Sequence, residues 1–268
     1  MRIRHLIPIL LAPLLFTAAH ANPYETTLKN GLRIIVKEDR RAPTAVQMVW
    51  YRIGSMDEVD GASGVAHVLE HMMFKGTPSV GPGEFNKRVA AAGGRDNAFT
   101  SRDYTAYFQQ VPKEKLEEMV QLEADRMRHL NVDAKEFEQE IKVVMEERRM
   151  RTDDNPQSKL FEQMNAVAFQ AHPYRRPIIG WMNDLETMTA ADAKAWYETW
   201  YVPNNAYVVI TGDVDHKAVF ELAEKYYGPL EGRALPVRKP QIDPTQEGTR
   251  RVNVKAPAEL PILIMAYK

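Results

Sequence analysis

The 268-residue sequence contains no cysteine. Disulfide bonds, thiolate metal ligands and a lipid-modified cysteine are therefore excluded, and any metal site must be built from His, Asp and Glu. An excess of charge of one sign is also missing, because 35 Lys and Arg stand against 36 Asp and Glu, for a formal net charge of −1. The chain has neither a basic stripe nor a glycine-rich phosphate loop, so we expect no nucleic-acid partner.

The longest hydrophobic run lies near the N-terminus, at residues 6–19. Arg2 and Arg4 precede it, and Ala19-His20-Ala21 has the small-x-small form of a signal-peptidase site. Two prolines interrupt the run, which is also short for a membrane span. We therefore expect residues 1–21 to be a signal peptide and the protein to be exported. The periplasm is the favoured destination, with no stable membrane anchor after cleavage.

A metal-binding pattern follows in His67-Val68-Leu69-Glu70-His71, within a predicted helix at residues 63–75. Histidines at this spacing lie on the same side of an α-helix, so both imidazoles reach one ion, with Glu70 beside them. The order H-x-x-E-H is the inverted form of the H-E-x-x-H zinc motif. We expect Ser63 to cap this helix and Gly76 to end it. The alternative is a packed or solvated histidine pair without a metal.

A further protein ligand would have to complete such a site, and a carboxylate is typical. The predicted helix at residues 134–151, with Asp133 as its N-cap, carries Glu140, Glu146 and Glu147. Glu140 and Glu147 lie two helical turns apart on one face, whereas Glu146 points about a third of a turn away. The geometry thus favours the face of Glu140 and Glu147. The alternative is a solvated glutamate-rich face with intrahelical ion pairs.

With its flanking residues, the histidine motif resembles the metal-site signature of the pitrilysin/insulinase family of zinc peptidases, which includes mitochondrial processing peptidase. The flanking matches are Gly54-Ser55 before the motif and Phe74-Lys75-Gly76-Thr77 after it. A third block resembles the substrate-binding edge strand of that family: Gly93-Gly94, Asn97-Ala98-Phe99-Thr100 and Thr105. The similarity runs from about Tyr24 to Leu230.

The resemblance implies a role for each matching side chain of the metal site. His67, His71 and Glu147 would hold one zinc ion per chain. Glu70 would be the general base of peptide hydrolysis, and Glu140 would support the site without binding the metal.

The same resemblance implies how substrate binds. Asn97, Ala98 and Phe99 would belong to an edge strand that pairs with the main chain of an extended peptide. Asn97 is in addition expected to hydrogen-bond a substrate amide. The binding partner is then a peptide or an unfolded protein.

Strand patterns occur early and late in the chain, and helical patterns are clustered between them. The predicted strands lie at residues 24–29, 32–38, 44–53, 97–111 and 206–211. This order predicts an α+β fold with a mainly antiparallel sheet packed against helices, as in the family that the chain resembles.

The chain is predicted to contain four segments. After the signal peptide come a catalytic zinc-metallopeptidase domain at 22–232, a Pro- and charge-rich linker at 233–248, and the truncated start of a second homologous domain at 249–268. Residues 249–255 and 262–268 loosely resemble the opening strands. In the family a second domain helps to enclose the substrate, so the expected partner is such a domain or a family-fold subunit that completes the chamber.

Three functions are consistent with these residues. The first is a secreted zinc endopeptidase that hydrolyses short or unfolded polypeptides through water activated by zinc and a glutamate base. The second is a non-catalytic peptide-binding or scaffolding subunit of the same fold, and the third is a zinc hydrolase of another kind. His129, His172 and His216 have no partner at ligand spacing, so we expect them to be surface or capping residues.

Overall fold

The computed structural model describes residues 22–267, so the predicted signal peptide at 1–21 lies outside the described residues. Its centre is a six-stranded sheet with the order β1-β2-β6-β3-β5-β4. The strands are β1 (Tyr24–Thr27), β2 (Arg33–Glu38), β3 (Thr44–Tyr51), β4 (Arg95–Thr100), β5 (Thr105–Pro112) and β6 (Ala206–Gly212). Only the β2–β6 pair is parallel. The predicted, mainly antiparallel α+β fold is confirmed.

Helices cover one face of this sheet. They are α1 (Val65–Met72), α2 (Glu84–Ala91), α3 (Leu116–His129), α4 (Ala134–Arg148), α5 (Pro156–Ala168), α6 (Met182–Thr187), α7 (Ala190–Trp200) and α8 (His216–Tyr226). Helices α1, α3 and α8 contact strands directly, and α4 and α7 pack against α1. The alternation of apolar residues along β3 buries Ala45, Val49 and Tyr51 against them. Among the described residues, no helix is both long and apolar enough to cross a membrane.

The single strand predicted at residues 97–111 is wrong, because the structure divides this stretch into β4 and β5. Residues Ser101 to Tyr104 form the turn between them, closed by a hydrogen bond from Ser101 N to Tyr104 O of 2.8 Å. The polar sequence Ser-Arg-Asp favours a turn over a continuous strand. The division makes β4 the edge of the sheet.

The predicted ends of the histidine helix are also wrong. The helix is shorter than residues 63–75, and its N-cap is Gly64 in the left-handed conformation, with φ of 90°. Ser63 instead donates its hydroxyl to Asp184 at 2.5 Å. The carboxylate of Glu58, which precedes the helix, accepts the N–H groups of Gly64 and Ala66, both at 2.9 Å. A buried side chain from outside the helix thus replaces the expected local cap.

Two other differences concern irregular stretches. The glutamate helix starts after Asp133 as predicted, since this side chain accepts the N–H groups of Lys135 and Glu136, but it ends at Arg148 and continues as a π-helical turn. The segments at 249–255 and 262–267, which resemble opening strands in sequence, form no strand in the described part of the chain.

Candidate metal centre

Helix α1 presents two imidazoles toward α4. The rings of His67 and His71 lie 4.8 Å apart, one helical turn from each other. Val68, Leu69 and Met72 on the other faces of α1 are fully buried in the core. The apolar face therefore anchors the helix and fixes the direction in which both histidines point.

Helix α4 brings a carboxylate to the same point. One oxygen of Glu147 lies 3.4 Å from His71 Nε2, and the other lies 3.9 Å from His67 Nε2. One ligand atom from each of the three residues lies within 4.8 Å of the others. Glu146 points elsewhere, is 59% exposed at its side chain and pairs with Arg149 at 2.9 Å. The structure thus assembles the three predicted metal ligands and leaves Glu146 out.

The protonation state of His67 fits a metal site. Burial lowers the pKa of His67 to about 3, so this imidazole is neutral at ordinary pH and has a free lone pair. Burial also tends to lower the pKa of His71, but the hydrogen bond and charge of Glu140 outweigh it and raise that pKa. Two imidazoles and one carboxylate are a typical ligand set for catalytic zinc. The residues present therefore fit the predicted ion.

Glu140, two helical turns before Glu147 in α4, supports His71. Its Oε1 lies 2.8 Å from His71 Nδ1, and its other oxygen pairs with Lys75. A proton on Nδ1 satisfies this contact and leaves the Nε2 lone pair directed at Glu147. Burial acts to raise the pKa of Glu140, yet the bonds from His71 and Lys75 lower it overall.

Glu70 lies beside the three ligand side chains and is held by a residue of the edge strand. Thr100 of β4 donates its hydroxyl to Glu70 Oε2. Burial raises the pKa of Glu70, partly offset by this bond. A half-buried carboxylate with a raised pKa is suited to accepting and returning a proton. Sequence reasoning gave Thr100 no role of its own, although it stands in the block that resembles the family's edge strand.

The three residues predicted to bind substrate lie on β4, at the edge of the sheet. Side chains alternate along a strand. Ala98 therefore faces the same side as Thr100, whereas Phe99 packs its ring 5.5 Å from Trp50 on the opposite side. Asn97 is exposed and accepts the N–H of Ala98 at 2.9 Å. Its predicted contact with substrate stays a prediction.

A cavity of about 280 Å³ adjoins Glu70 and His71. Its other lining residues are Phe74, Lys75, Asn86, Asp96, Asn97 and Glu140. Asn86 and Asp96 were not singled out in the sequence. Asn86 lies on α2 and Asp96 on β4, so only the packing of these two elements brings them to the site.

His129, His172 and His216 lie outside this centre. His129 is exposed beside Asp125, and His172 accepts the N–H of Tyr174. His216 lies near two carboxylates, those of Glu38 and Asp215, with ligand atoms within 4.8 Å. These carboxylates are already engaged, because both accept backbone N–H groups at the start of α8. His129 and His172 thus have the predicted surface and capping roles, whereas His216, expected to have no partner at ligand spacing, lies beside two such carboxylates.

Comparison with known proteins places the chain in a family. The profile of the insulinase family, peptidase family M16, matches residues 33–181, and that of the M16 inactive domain matches residues 187–268. The zinc protease PqqE of Helicobacter pylori is 38% identical over 259 residues, which cover 93% of this chain and 58% of that protein. The β subunit of mitochondrial-processing peptidase from Lentinula edodes is 31% identical, covering 82% of this chain and 48% of that subunit.

A solved structure agrees with these sequence relatives. The crystal structure of a protease from Helicobacter pylori has a TM-score of 0.82 and 38% identity, and the match covers 85% of this chain and 55% of that one. The chain spans about half the length of the curated relatives that it matches. The family predicted from the motif is confirmed, and the chain belongs to the insulinase family of peptidases, M16.

Proposed function

We propose that this chain carries the metal centre of an exported zinc endopeptidase that hydrolyses short or unfolded polypeptides. The observation that carries the proposal is the convergence of His67, His71 and Glu147, with Glu70 beside them. Relatives named zinc proteases support it. Export to the periplasm rests on the signal-peptide pattern at residues 1–21.

One zinc ion held by these three side chains would supply positive charge that polarises a peptide carbonyl and acidifies water. Glu70 then takes the water proton as water attacks the carbonyl, and returns it to the leaving amine. The hydroxyl of Thr100 keeps one oxygen of Glu70 in place, which leaves the other oxygen to exchange the proton. Glu140 holds the Nδ1 proton of His71, so that this ring keeps one tautomer.

Substrate would lie along β4. This strand is at the edge of the sheet, and an extended peptide can add to such an edge through main-chain hydrogen bonds. Binding of this kind favours unfolded or short chains, because most backbone groups of a folded protein are already paired. A second family domain or subunit would supply the opposite wall of the chamber.

The general-base assignment is tested with Glu70→Gln. We expect this variant to bind zinc as the wild type does but to lose activity on quenched peptides by about 100-fold or more, since a positioned base typically contributes 10²–10⁴. Zinc content by mass spectrometry and peptide cleavage are measured on the same preparation. Full activity with zinc bound would remove Glu70 from the mechanism.

A further inference from the structure

The cavity beside Glu70 and His71 has an aromatic wall and a polar end. Phe74, two residues after the end of α1, is partly buried and forms the wall. At the polar end, Asn86 Nδ2 donates to Asp96 Oδ2 at 2.7 Å. Both residues stand apart from the groups that hold the metal or move the proton.

Asp96 faces the helix side of the sheet. It pairs across the ladder with Gln109, and directly opposed residues on antiparallel strands point to the same face. Gln109 is fully buried under α3 and donates to Glu123 at 2.5 Å. The carboxylate of Asp96 therefore points toward the cavity, whereas the side chain of its neighbour Asn97 alternates to the other face.

Negative charge dominates the cavity lining. Glu70, Asp96 and Glu140 contribute carboxylates, and the single ammonium, that of Lys75, is paired with Glu140. Glu70 is bonded to Thr100. Within residues 22–267, no Lys or Arg forms an ion pair with Asp96, whose side-chain bond is to a neutral amide. Asp96 is thus the carboxylate of this cavity that can still pair with a cation.

The buried cation behind this cavity, Arg126, is already paired with Glu123. Arg126 lies behind Phe74 and forms an ion pair with Glu123 at 2.5 Å, with both side chains almost fully buried. Its guanidinium also lies over the rings of Phe85 and Tyr107, at 4.1 and 4.5 Å. Burial raises the pKa of Asp96, and the charge of Arg126 only partly opposes this effect. A cation arriving from solvent would therefore stabilise the Asp96 carboxylate further.

We infer that this cavity receives an Arg or Lys side chain of the peptide substrate, and that Asp96 is the residue that selects its positive charge. The methylene groups of such a side chain pack on the ring of Phe74, and the cationic end reaches Asp96 beside Asn86. The inference rests on the proposed function and names the substrate class that the same site prefers.

The test compares Asp96→Asn with wild type on peptides that differ at one position. Quenched peptides carry Arg, its neutral isostere citrulline, Leu or Glu, in turn, at each of the two positions that flank the cleaved bond. At one position we expect the wild type to cleave the Arg peptide about tenfold faster in kcat/KM than the citrulline peptide, the size of a charge-assisted hydrogen bond. In Asp96→Asn this ratio should fall to about one, while cleavage of the Leu peptide stays within about twofold of wild type.

The matched control is Glu221→Gln, which removes a carboxylate from the exposed side of α8 and should leave all ratios unchanged. Equal cleavage of Arg and citrulline peptides by wild type, or an equal loss on every peptide in Asp96→Asn, would overturn the inference but not the proposed function.

If no peptide is cleaved, binding of the Arg and citrulline peptides to Glu70→Gln is measured by fluorescence anisotropy. If Glu70→Gln binds the two peptides with equal affinity, the inference is overturned. If it binds the Arg peptide more tightly, and the double variant Glu70→Gln/Asp96→Asn binds both peptides equally, the inference is supported.

Discussion

His71 is held from both sides by carboxylates of α4. Glu140 contacts its Nδ1 atom at 2.8 Å, and Glu147 lies 3.4 Å from its Nε2 atom. The sequence predicted this arrangement in outline, because the two glutamates share one face of a helix. The sequence could not predict the ion pair between Lys75 and the second oxygen of Glu140, since that contact depends on how α1 and α4 pack together.

Removing Glu140 should weaken zinc binding. In Glu140→Ala the Nδ1 proton of His71 loses its acceptor, and partners of this kind contribute about 10- to 100-fold to metal affinity. Glu140→Gln, whose amide oxygen still accepts a hydrogen bond, should lose less. The affinity is measured by competition with a chromophoric chelator at about pH 7.5.

The control is Glu138→Gln, an exposed carboxylate of the same helix, which should bind zinc as the wild type does. An affinity of Glu140→Ala equal to that of the control would show that Glu140 does not support the metal ligand.

At the level of elements, the position of α1 depends on residues far from it in sequence. Glu58 is 3% exposed and accepts two N–H groups of the first turn, while Arg176 donates to its backbone carbonyl at 2.5 Å. A Cβ on Gly64 would come within 2.6 Å of the Ile179 carbonyl oxygen, so only glycine allows this close approach.

The existence of α1 and α4 and the start of α4 followed from the sequence, because periodicity and the Asp133 cap are local signals. The start of α1 did not follow. Ser63 has the right residue type for an N-cap, but its hydroxyl is taken by Asp184, and the groups of the first turn are satisfied by Glu58. The turn at Ser101 to Tyr104 was missed for a different, local reason, because the aromatic and β-branched residues on both sides favour a continuous strand.

The stability that Glu58 contributes should depend on pH. Burial raises its pKa from 4.5 to about 8, so the folded protein binds a proton that the unfolded chain has already released. The stabilising contribution of Glu58 is fully present below about pH 4.5 and is lost as the pH rises toward 8. We expect the difference in unfolding free energy between wild type and Glu58→Ala to be largest at about pH 4.5 and below, and to shrink as the pH rises to about 8.

Urea unfolding of both proteins at several pH values measures this difference, and subtraction removes the titration of all shared groups. A difference that grows with pH would mean that the first turn of α1 binds the ionised carboxylate instead.

At the scale of the whole molecule, one sheet and one helical layer place the site at an edge. Strand β4 is the last of the sheet, and α1 and α4 meet beside it. The sequence predicted the layers, but not the parallel pairing of β2 with β6, because strands far apart in the chain give no signal of their order. The cavity at Asp96 likewise arises only where α2 meets β4.

The segment after the main fold is attached by polar contacts. Asp243 accepts the N–H groups of Gln170, Ala171 and His172, at 2.7 to 3.2 Å, and Arg250 donates to carbonyl groups at the end of α5. These contacts hold residues 243–250 against the end of α5 without any helix or strand of their own. The linker predicted at 233–248 therefore lies along the surface of the fold over part of its length.

A comparison of Glu147→Gln with Glu146→Gln tests most directly whether two helices of this fold supply one metal centre. The two glutamates are neighbours in α4, but only Glu147 faces the histidines. The metal content of each purified protein is measured by mass spectrometry, together with chelator-sensitive cleavage of quenched peptides. We expect about one zinc per chain in wild type and in Glu146→Gln, and loss of both zinc and cleavage in Glu147→Gln. Zinc retained in Glu147→Gln, or absent from the wild type, would contradict the account.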